Sequence, residues 1–105
     1  MRVRLARPAF DDLAAILDYL AERSPQAVRG LASRVDRLLD RLGEHPGMGV
    51  RTDDPAVRRL VLTPYPYLAF YEASETEVVV LVIRHSARDP RTMPGAGAQP
   101  GDEAP

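Results

Sequence analysis

The sequence predicts an α+β domain in which a helical hairpin packs on one face of a small, mainly antiparallel sheet, in the order β-α-α-β-β-β. Two consecutive segments carry apolar residues at helical spacing, and three later segments have the short apolar pattern of strands. Short connections between those three segments favour an antiparallel meander. The length of 105 residues allows one domain of ordinary size.

The first strand and the first helix are predicted from the N-terminal residues. Residues 2–6 alternate polar and apolar side chains, which is typical of a short strand. Pro8 suits the first turn of a helix, and we expect Asp11 and Asp12 to complement the helix dipole. The apolar stripe of this helix consists of Phe10, Leu13, Ile16, Leu17 and Leu20.

The second helix is predicted to begin directly after a sharp corner. Ser24 and Pro25 have the pattern of an N-cap followed by a proline at the first helical position. Gly43 is the expected C-cap. The apolar face between them consists of Val28, Leu31, Val35, Leu38, Leu39 and Leu42. Two amphipathic helices joined in this way form a helical hairpin.

The C-terminal half is predicted to contain a loop followed by three strands. The loop spans residues 44–56, and the strands span residues 57–63, 67–72 and 78–85, with a turn at 64–66. The last strand is almost continuously apolar, which predicts a central strand covered on both faces.

The last residues of the chain differ in composition from the rest. Residues 94–105 contain three Pro, three Gly and three Ala and no large apolar side chain. Such a segment cannot bury enough surface to offset its conformational entropy. We therefore predict a folded domain over residues 1–92 and a disordered tail over residues 93–105.

Composition excludes several classes of chemistry. The chain has no cysteine and only two histidines, so a disulfide framework, a thiol nucleophile and a thiolate zinc site are excluded. All fourteen basic residues are arginine, which excludes Schiff-base chemistry and a P-loop lysine. We expect neither a metal nor a cofactor. The formal net charge of −1 provides no global field to attract nucleic acid or an anionic membrane.

Targeting signals are not evident in the sequence. The longest strongly apolar run, residues 78–83, is far shorter than the roughly 20 residues that a membrane-spanning helix needs. The N-terminal arginines are not followed by the apolar stretch of a secretory signal. We expect a cytoplasmic protein without a membrane partner.

The segment after the most buried strand carries the most informative polar residues. Residues 84–91 contain His85, a residue of the type that ordinarily changes charge near neutral pH, together with three arginines and one acid. A hydrogen-bonded structural histidine is the competing interpretation. Nothing in the sequence has the spacing of a catalytic triad, a metal site or a phosphate loop.

An ordered series of motifs resembles the RelE/ParE superfamily of type II toxins over about residues 2–91. The series consists of Asp11-Asp12-Leu13-x-x-Ile16-x-x-Tyr19-Leu20, Pro46-x-Met48-Gly49, Arg58-Arg59-Leu60, Tyr65-Pro66-Tyr67-Leu68-Ala69-Phe70-Tyr71 and Arg84-His85-Ser86-Ala87-Arg88-Asp89-Pro90. The resemblance implies a RelE/ParE-like fold and a toxin that a neighbouring antitoxin neutralises.

The same resemblance separates two functional branches. Members that cut mRNA on the ribosome carry a basic residue on the strand at 67–71, an arginine near the last strand and a C-terminal tyrosine. Here Leu68 and Ala69 occupy that strand, and no tyrosine follows Tyr71. The chain is therefore more similar to the ParE branch, whose members bind and poison DNA gyrase. Two alternatives stay open: a RelE-type endonuclease in which His85 and Arg88 are catalytic, and a non-toxic antitoxin-binding module.

The expected partners follow from the resemblance. A cognate antitoxin would form a hetero-oligomer with the toxin, and DNA gyrase, or alternatively the ribosome with its mRNA, would be the target. The resemblance implies that acidic groups of an antitoxin tail pair with arginines of the toxin. The candidate residues for binding antitoxin or target are Arg34, Arg37, Arg58, Arg59, Arg84 and Arg88.

Overall fold

Two helices pack on one face of a five-stranded mixed sheet in the computed structural model, which describes residues 1–87. The elements are β1 (Arg2–Leu5), α1 (Arg7–Ala21), α2 (Pro25–Glu44), β2 (Val50–Arg51), β3 (Arg58–Val61), β4 (Tyr67–Ala73) and β5 (Glu77–His85). The predicted α+β class, helical hairpin and β3-β4-β5 meander are confirmed. The predicted tail and the boundary at residue 92 lie outside the described residues. Neither described helix combines the length and apolar character needed to cross a membrane.

The sheet has the strand order β1-β5-β4-β3-β2, and β5 therefore lies between β1 and β4. β1 pairs with β5 in parallel, with Val3 opposite Val78 and Leu5 opposite Val80. The other three strand pairs described are antiparallel. Parallel strands need a long crossover connection, and the helical hairpin lies within the connection that leads from β1 to β5.

The ends of the helices agree only in part with the sequence predictions. The Ser24 hydroxyl accepts a hydrogen bond from the Ala27 N–H at 3.1 Å, which confirms the N-cap of α2. The prediction of Gly43 as C-cap is wrong, since α2 continues to Glu44 and His45 caps it. A Cβ atom at Gly43 would lie 2.8 Å from the Met1 carbonyl oxygen, so the glycine allows the N-terminus to approach the helix.

Asp11 and Asp12 lie too far along α1 to complement the helix dipole at its N-terminus. The helix begins at Arg7, and its first turn contains no acidic residue. Asp11 instead pairs with Arg7, with an N–O distance of 3.1 Å, and Asp12 contacts β5. The predicted dipole role of these two acids is therefore wrong.

Most of the core lies between the helices and one face of the sheet. Its largest fully buried side chains are Leu31, Leu42, Leu62, Tyr71, Val78 and Val80. A smaller cluster on the opposite sheet face consists of Val57, Leu68 and Phe70, with half-buried Leu81 and Val82 packed against them. The prediction that the last strand is covered on both faces is thus only partly met, because both helices pack on the same face.

A register shift in the β4–β5 pair extends the smaller cluster. Phe70 pairs with Val82 while Tyr71 pairs with Val80, so Leu81 is an extra residue in β5. Such a bulge interrupts the alternation of side chains along a strand. Leu81 and Val82 therefore both join the cluster opposite the helices.

The prediction of an unbroken loop over residues 44–56 is wrong, because the two-residue strand β2 lies within it and pairs with β3. The hydroxyl of Tyr71 holds the preceding turn, since it accepts from the Gly49 N–H and donates to the Pro46 carbonyl, both at 2.8 Å. The predicted turn at 64–66 is present and begins with a cis Thr63–Pro64 peptide bond.

Candidate functional site

A cleft of about 470 Å³ lies between α1 and the C-terminal end of β5. We call it the α1–β5 cleft. Its walls are formed by Asp12, Ala15, Ile16, Tyr19, Tyr67, Ile83, Arg84, His85 and Ala87. Its volume falls within the roughly 300–1,000 Å³ that is usual for ligand pockets. Aromatic and aliphatic side chains form most of the wall, and ionisable groups lie at one end.

Asp12 joins α1 to an edge of β5 that β1 leaves uncovered. The Ala6 N–H donates to the Val80 carbonyl at 2.8 Å, beyond the end of β1. Farther along β5, the Ile83 N–H donates to Asp12 Oδ2 at 3.0 Å, and Arg84 donates to the same oxygen at 2.6 Å. The carboxylate therefore satisfies both a strand-edge donor and a guanidinium. These contacts position the helix against the sheet, and they neutralise the charge of Arg84.

His85 is oriented by its neighbours on both sides. Its Nδ1 accepts a hydrogen bond from the Ala87 N–H at 3.0 Å. Tyr67 meets the imidazole edge-on, with ring centroids 5.4 Å apart and an interplanar angle of 89°. These two contacts fix the orientation of the imidazole in the wall of the cleft.

Tyr19 forms the outer part of the cleft wall. Its side chain is 52% exposed, which is high for an aromatic residue. The guanidinium of Arg23 lies 3.7 Å from the centre of the tyrosine ring and donates to the Tyr19 carbonyl at 3.0 Å. This stacking fixes an aromatic surface at the mouth of the cleft.

Two of the predicted binding arginines hold loops of the protein itself. Arg34 on α2 donates to the carbonyls of Thr63 and Val61, at 2.9 and 3.4 Å. Arg58 on β3 donates to the Gly49 carbonyl at 2.8 Å. Their guanidinium groups support the β3–β4 turn and the turn before β2.

The remaining predicted arginines lie in different places. Arg37 is exposed on α2, and half-buried Arg59 lies opposite Phe70, whereas Arg58 lies opposite Tyr71. Among the predicted catalytic and binding residues that the structure describes, only Arg84 and His85 line the α1–β5 cleft. Arg88 lies outside the described residues. The structure therefore does not bring the predicted arginines together into one site.

The sheet face opposite the helices carries a second depression, of about 750 Å³. Val79 and Leu81 contribute to it, and the ion pair between Arg4 and Glu77, at 3.1 Å, lies at its border. The hydrogen bond from Arg4 lowers the pKa of the Glu77 carboxyl. In the part of the chain that the structure describes, no group of three metal-ligating side chains forms a metal site.

Sequence reasoning missed Asp12, Tyr19 and Tyr67 as parts of the candidate site. A signal for the first two was present, because Asp12, Ile16, Tyr19 and Arg23 follow one another at helical spacings of four, three and four. An acid in line with an apolar stripe indicates a polar group that faces the packed side of a helix. Tyr67 had no such signal, because its contact with His85 depends on the register of β4 and β5.

Comparisons with known proteins agree with this architecture. The sequence matches the family described as "ParE toxin of type II toxin-antitoxin system, parDE" over residues 3–90. It is 39% identical over 80 residues to "Toxin RelE2" of Caulobacter vibrioides, an alignment that covers 76% of this chain and 89% of the relative. A solved structure described as "Chromosomal ParDE TA system from P. aeruginosa" is similar, with a TM-score of 0.67 and 25% identity. That similarity covers 81% of this chain and 95% of the other.

Proposed function

The chain belongs to the ParE toxin family of type II toxin–antitoxin systems, and from this premise we propose that it acts in the cytoplasm by binding and poisoning DNA gyrase. Membership of such a system implies a cognate antitoxin that neutralises the toxin. The choice of gyrase over mRNA rests on one observation in particular, which is the apolar character of β4 on the sheet face opposite the helices.

On the sheet face opposite the helices, β4 lacks the basic residue that a nuclease of this superfamily would carry. Leu68 and Phe70 are buried there against Val57 and Leu81. Cleavage of a phosphodiester through its 2′-hydroxyl needs groups that hold the phosphate and move protons. An apolar cluster provides neither. This face is therefore suited to packing, and its chemistry supports a toxin that acts by binding.

The engaged arginines support the same proposal. Arg34, Arg58 and Arg84 donate to carbonyl or carboxylate oxygens within the protein. A guanidinium that stabilises a transferring phosphate has to direct its donors toward the substrate. Recruiting these arginines for catalysis would break contacts that hold α1, α2 and the turns in place.

Growth experiments with separate molecular readouts test the proposal. We expect expression from a tight promoter without antitoxin to stop growth, to induce the DNA-damage response and to reduce the negative supercoiling of a reporter plasmid. Purified toxin should inhibit supercoiling by purified gyrase. Normal supercoiling in growth-arrested cells would contradict the gyrase assignment, and normal growth would favour a non-toxic antitoxin-binding module.

A ribosome-dependent endonuclease is the second candidate. It is favoured by the relative named "Toxin RelE2" and by His85, which lines the cleft. In that case, replacing His85 by alanine would lower mRNA cleavage by roughly 10²–10⁴-fold, as the loss of a general acid–base group does. Primer extension on mRNA from cells that express the toxin distinguishes the two candidates, because only an endonuclease produces new 5′ ends inside codons.

We propose that the antitoxin contacts exposed Arg37 and half-buried Arg59. Acidic groups of an antitoxin segment can pair with them without breaking the internal bonds of Arg34 and Arg58. Arg37→Glu should weaken binding to the protein encoded beside the toxin by about tenfold or more. Arg29→Glu, at another exposed position of α2, is the matched control.

A further inference from the structure

The outer surface of α1 has a second stripe of residues that borders the α1–β5 cleft. Asp11, Ala15, Asp18 and Glu22 follow one another at spacings of four, three and four, so they lie side by side along the helix. All four are exposed, and Ala15 also lines the cleft. We call this stripe the acidic rim. Its one small residue leaves a gap that opens into the cleft.

Among residues 1–87, no ion pair compensates the charge at the Asp18–Glu22 end of the acidic rim. Arg7 pairs with Asp11, while no ion pair with a described residue engages Asp18 or Glu22. Arg23 is the cation nearest in sequence, and its guanidinium is stacked on Tyr19. In the part of the chain that the structure describes, two carboxylates therefore outnumber one cation at this end of the rim. An occupant with positive charge would be attracted to this end of the cleft, and an acidic one would be repelled.

The interior of the cleft, unlike its acidic rim, is suited to an apolar group. Ile16, Tyr19 and Tyr67 present apolar surface, and the Asp12–Arg84 pair is already satisfied internally. A large apolar side chain that enters through the gap at Ala15 would bury surface against these walls. Anchor side chains of this type provide most of the energy at protein interfaces.

We propose that the α1–β5 cleft and its acidic rim are the docking site for a basic segment of the toxin's protein target, which inserts one aromatic or aliphatic side chain between α1 and β5. The antitoxin is a poorer match, because a segment acidic enough to pair with Arg37 and Arg59 would be repelled by Asp18 and Glu22. The inference rests on the proposed function in one respect, namely that the protein acts by binding another protein.

A pair of peptides tests the chemistry of the site on the full chain. The probes are acetyl-Trp-Arg-Arg-amide and acetyl-Trp-Glu-Glu-amide, and the readout is the shift of amide resonances in two-dimensional NMR spectra. We expect the basic peptide to shift Ala15, Tyr19 and His85 and to bind about tenfold more tightly than the acidic peptide. Equal affinities, or shifts confined to other surfaces, would show that the site is not what we propose.

Two alanines of α1 provide a matched pair of variants. Ala15→Arg fills the gap with a long, charged side chain, whereas Ala14→Arg makes the same change at an exposed position that does not line the cleft. The first should abolish the shifts and the second should leave them unchanged. The double variant Asp18→Arg/Glu22→Arg alters only exposed side chains and should reverse the preference between the peptides. An unchanged preference would overturn the proposal even if Ala15→Arg failed to fold.

Growth assays distinguish docking of the target at this site from docking of the antitoxin. Ala15→Arg should lose growth inhibition but still bind the protein encoded beside the toxin, and Ala14→Arg should inhibit growth like the wild type. Equal growth inhibition by both variants, or loss of antitoxin binding in Ala15→Arg alone, would contradict docking of the target. If the two variants differ as expected while supercoiling stays normal, the gyrase assignment is wrong and the docking site stands. If the wild type fails to inhibit growth, the proposed function is wrong and the peptide preference decides the docking site.

Discussion

At Gly49, a side chain and the backbone of a neighbouring strand together leave no room for a Cβ atom. A Cβ atom there would lie 2.6 Å from the Tyr71 hydroxyl and 2.8 Å from the Arg59 carbonyl oxygen. Gly49→Ala should therefore force β2 away from β3 and lower the free energy of unfolding by about 1–3 kcal/mol, as overpacking does. Gly47→Ala is the control, since a Cβ there has no neighbour within 4 Å. Urea denaturation of both variants measures the difference, and equal stabilities would refute this account of the turn.

The buried hydroxyl of Tyr71 stabilises the same turn. Burial raises the pKa of this phenol above its ordinary value of 10.0. Above about pH 10 the unfolded chain loses the proton while the folded chain keeps it, so the free energy of unfolding should fall as pH rises. Tyr71→Phe should cost about 1–3 kcal/mol at neutral pH, because the Gly49 N–H loses its acceptor. It should also reduce the alkaline loss of stability, and an unchanged alkaline slope in urea titrations from pH 8 to 11 would contradict this assignment.

At the scale of elements, one carboxylate docks α1 on the sheet. Asp12→Ala removes the acceptor of both Ile83 N–H and Arg84, and it should cost about 1–3 kcal/mol. Asp12→Asn keeps an acceptor for the Ile83 N–H and should cost less. Asp11→Ala is the neighbouring control, because its exposed pair with Arg7 should contribute less than about 0.5 kcal/mol. Thermal unfolding followed by circular dichroism compares the three variants, and an equal loss in the Asp11 variant would refute the docking role of Asp12.

The elements that the sequence predicts well are those with local signals. Ser24 and Pro25 mark the start of α2 because the cap acts within one turn, and the apolar stripes of both helices repeat often enough to be recognised. β2 could not be predicted, because two residues cannot display a period and the strand depends on the edge of β3. Gly43 has the local pattern of a C-cap, yet the approach of Met1, distant in sequence, explains the glycine.

At the scale of the whole molecule, the candidate site could be predicted only in part from the sequence. Arg84 and His85 were identifiable, because they follow the most apolar strand and a rigid element positions them. Their association with Asp12 and Tyr19 depends on β1 ending before β5 does, which leaves an edge for α1 to cover. The predicted arginines also have different roles, because internal carbonyls engage Arg34 and Arg58 in ways that composition does not reveal.

The charge of the whole chain leads to a prediction about nucleic acid. A formal net charge of −1 and arginines engaged within the fold leave little to neutralise phosphates. We expect the dissociation constant for a single-stranded RNA to exceed about 10⁻⁴ M near physiological salt, with a shallow dependence on salt concentration. Fluorescence anisotropy measures both quantities. Asp36→Arg/Asp40→Arg is the positive control, because it creates a basic stripe with Arg37 and Arg41 and should tighten binding and steepen the salt dependence. Micromolar binding by the wild type, with a steep salt dependence, would instead favour the ribosome-dependent endonuclease.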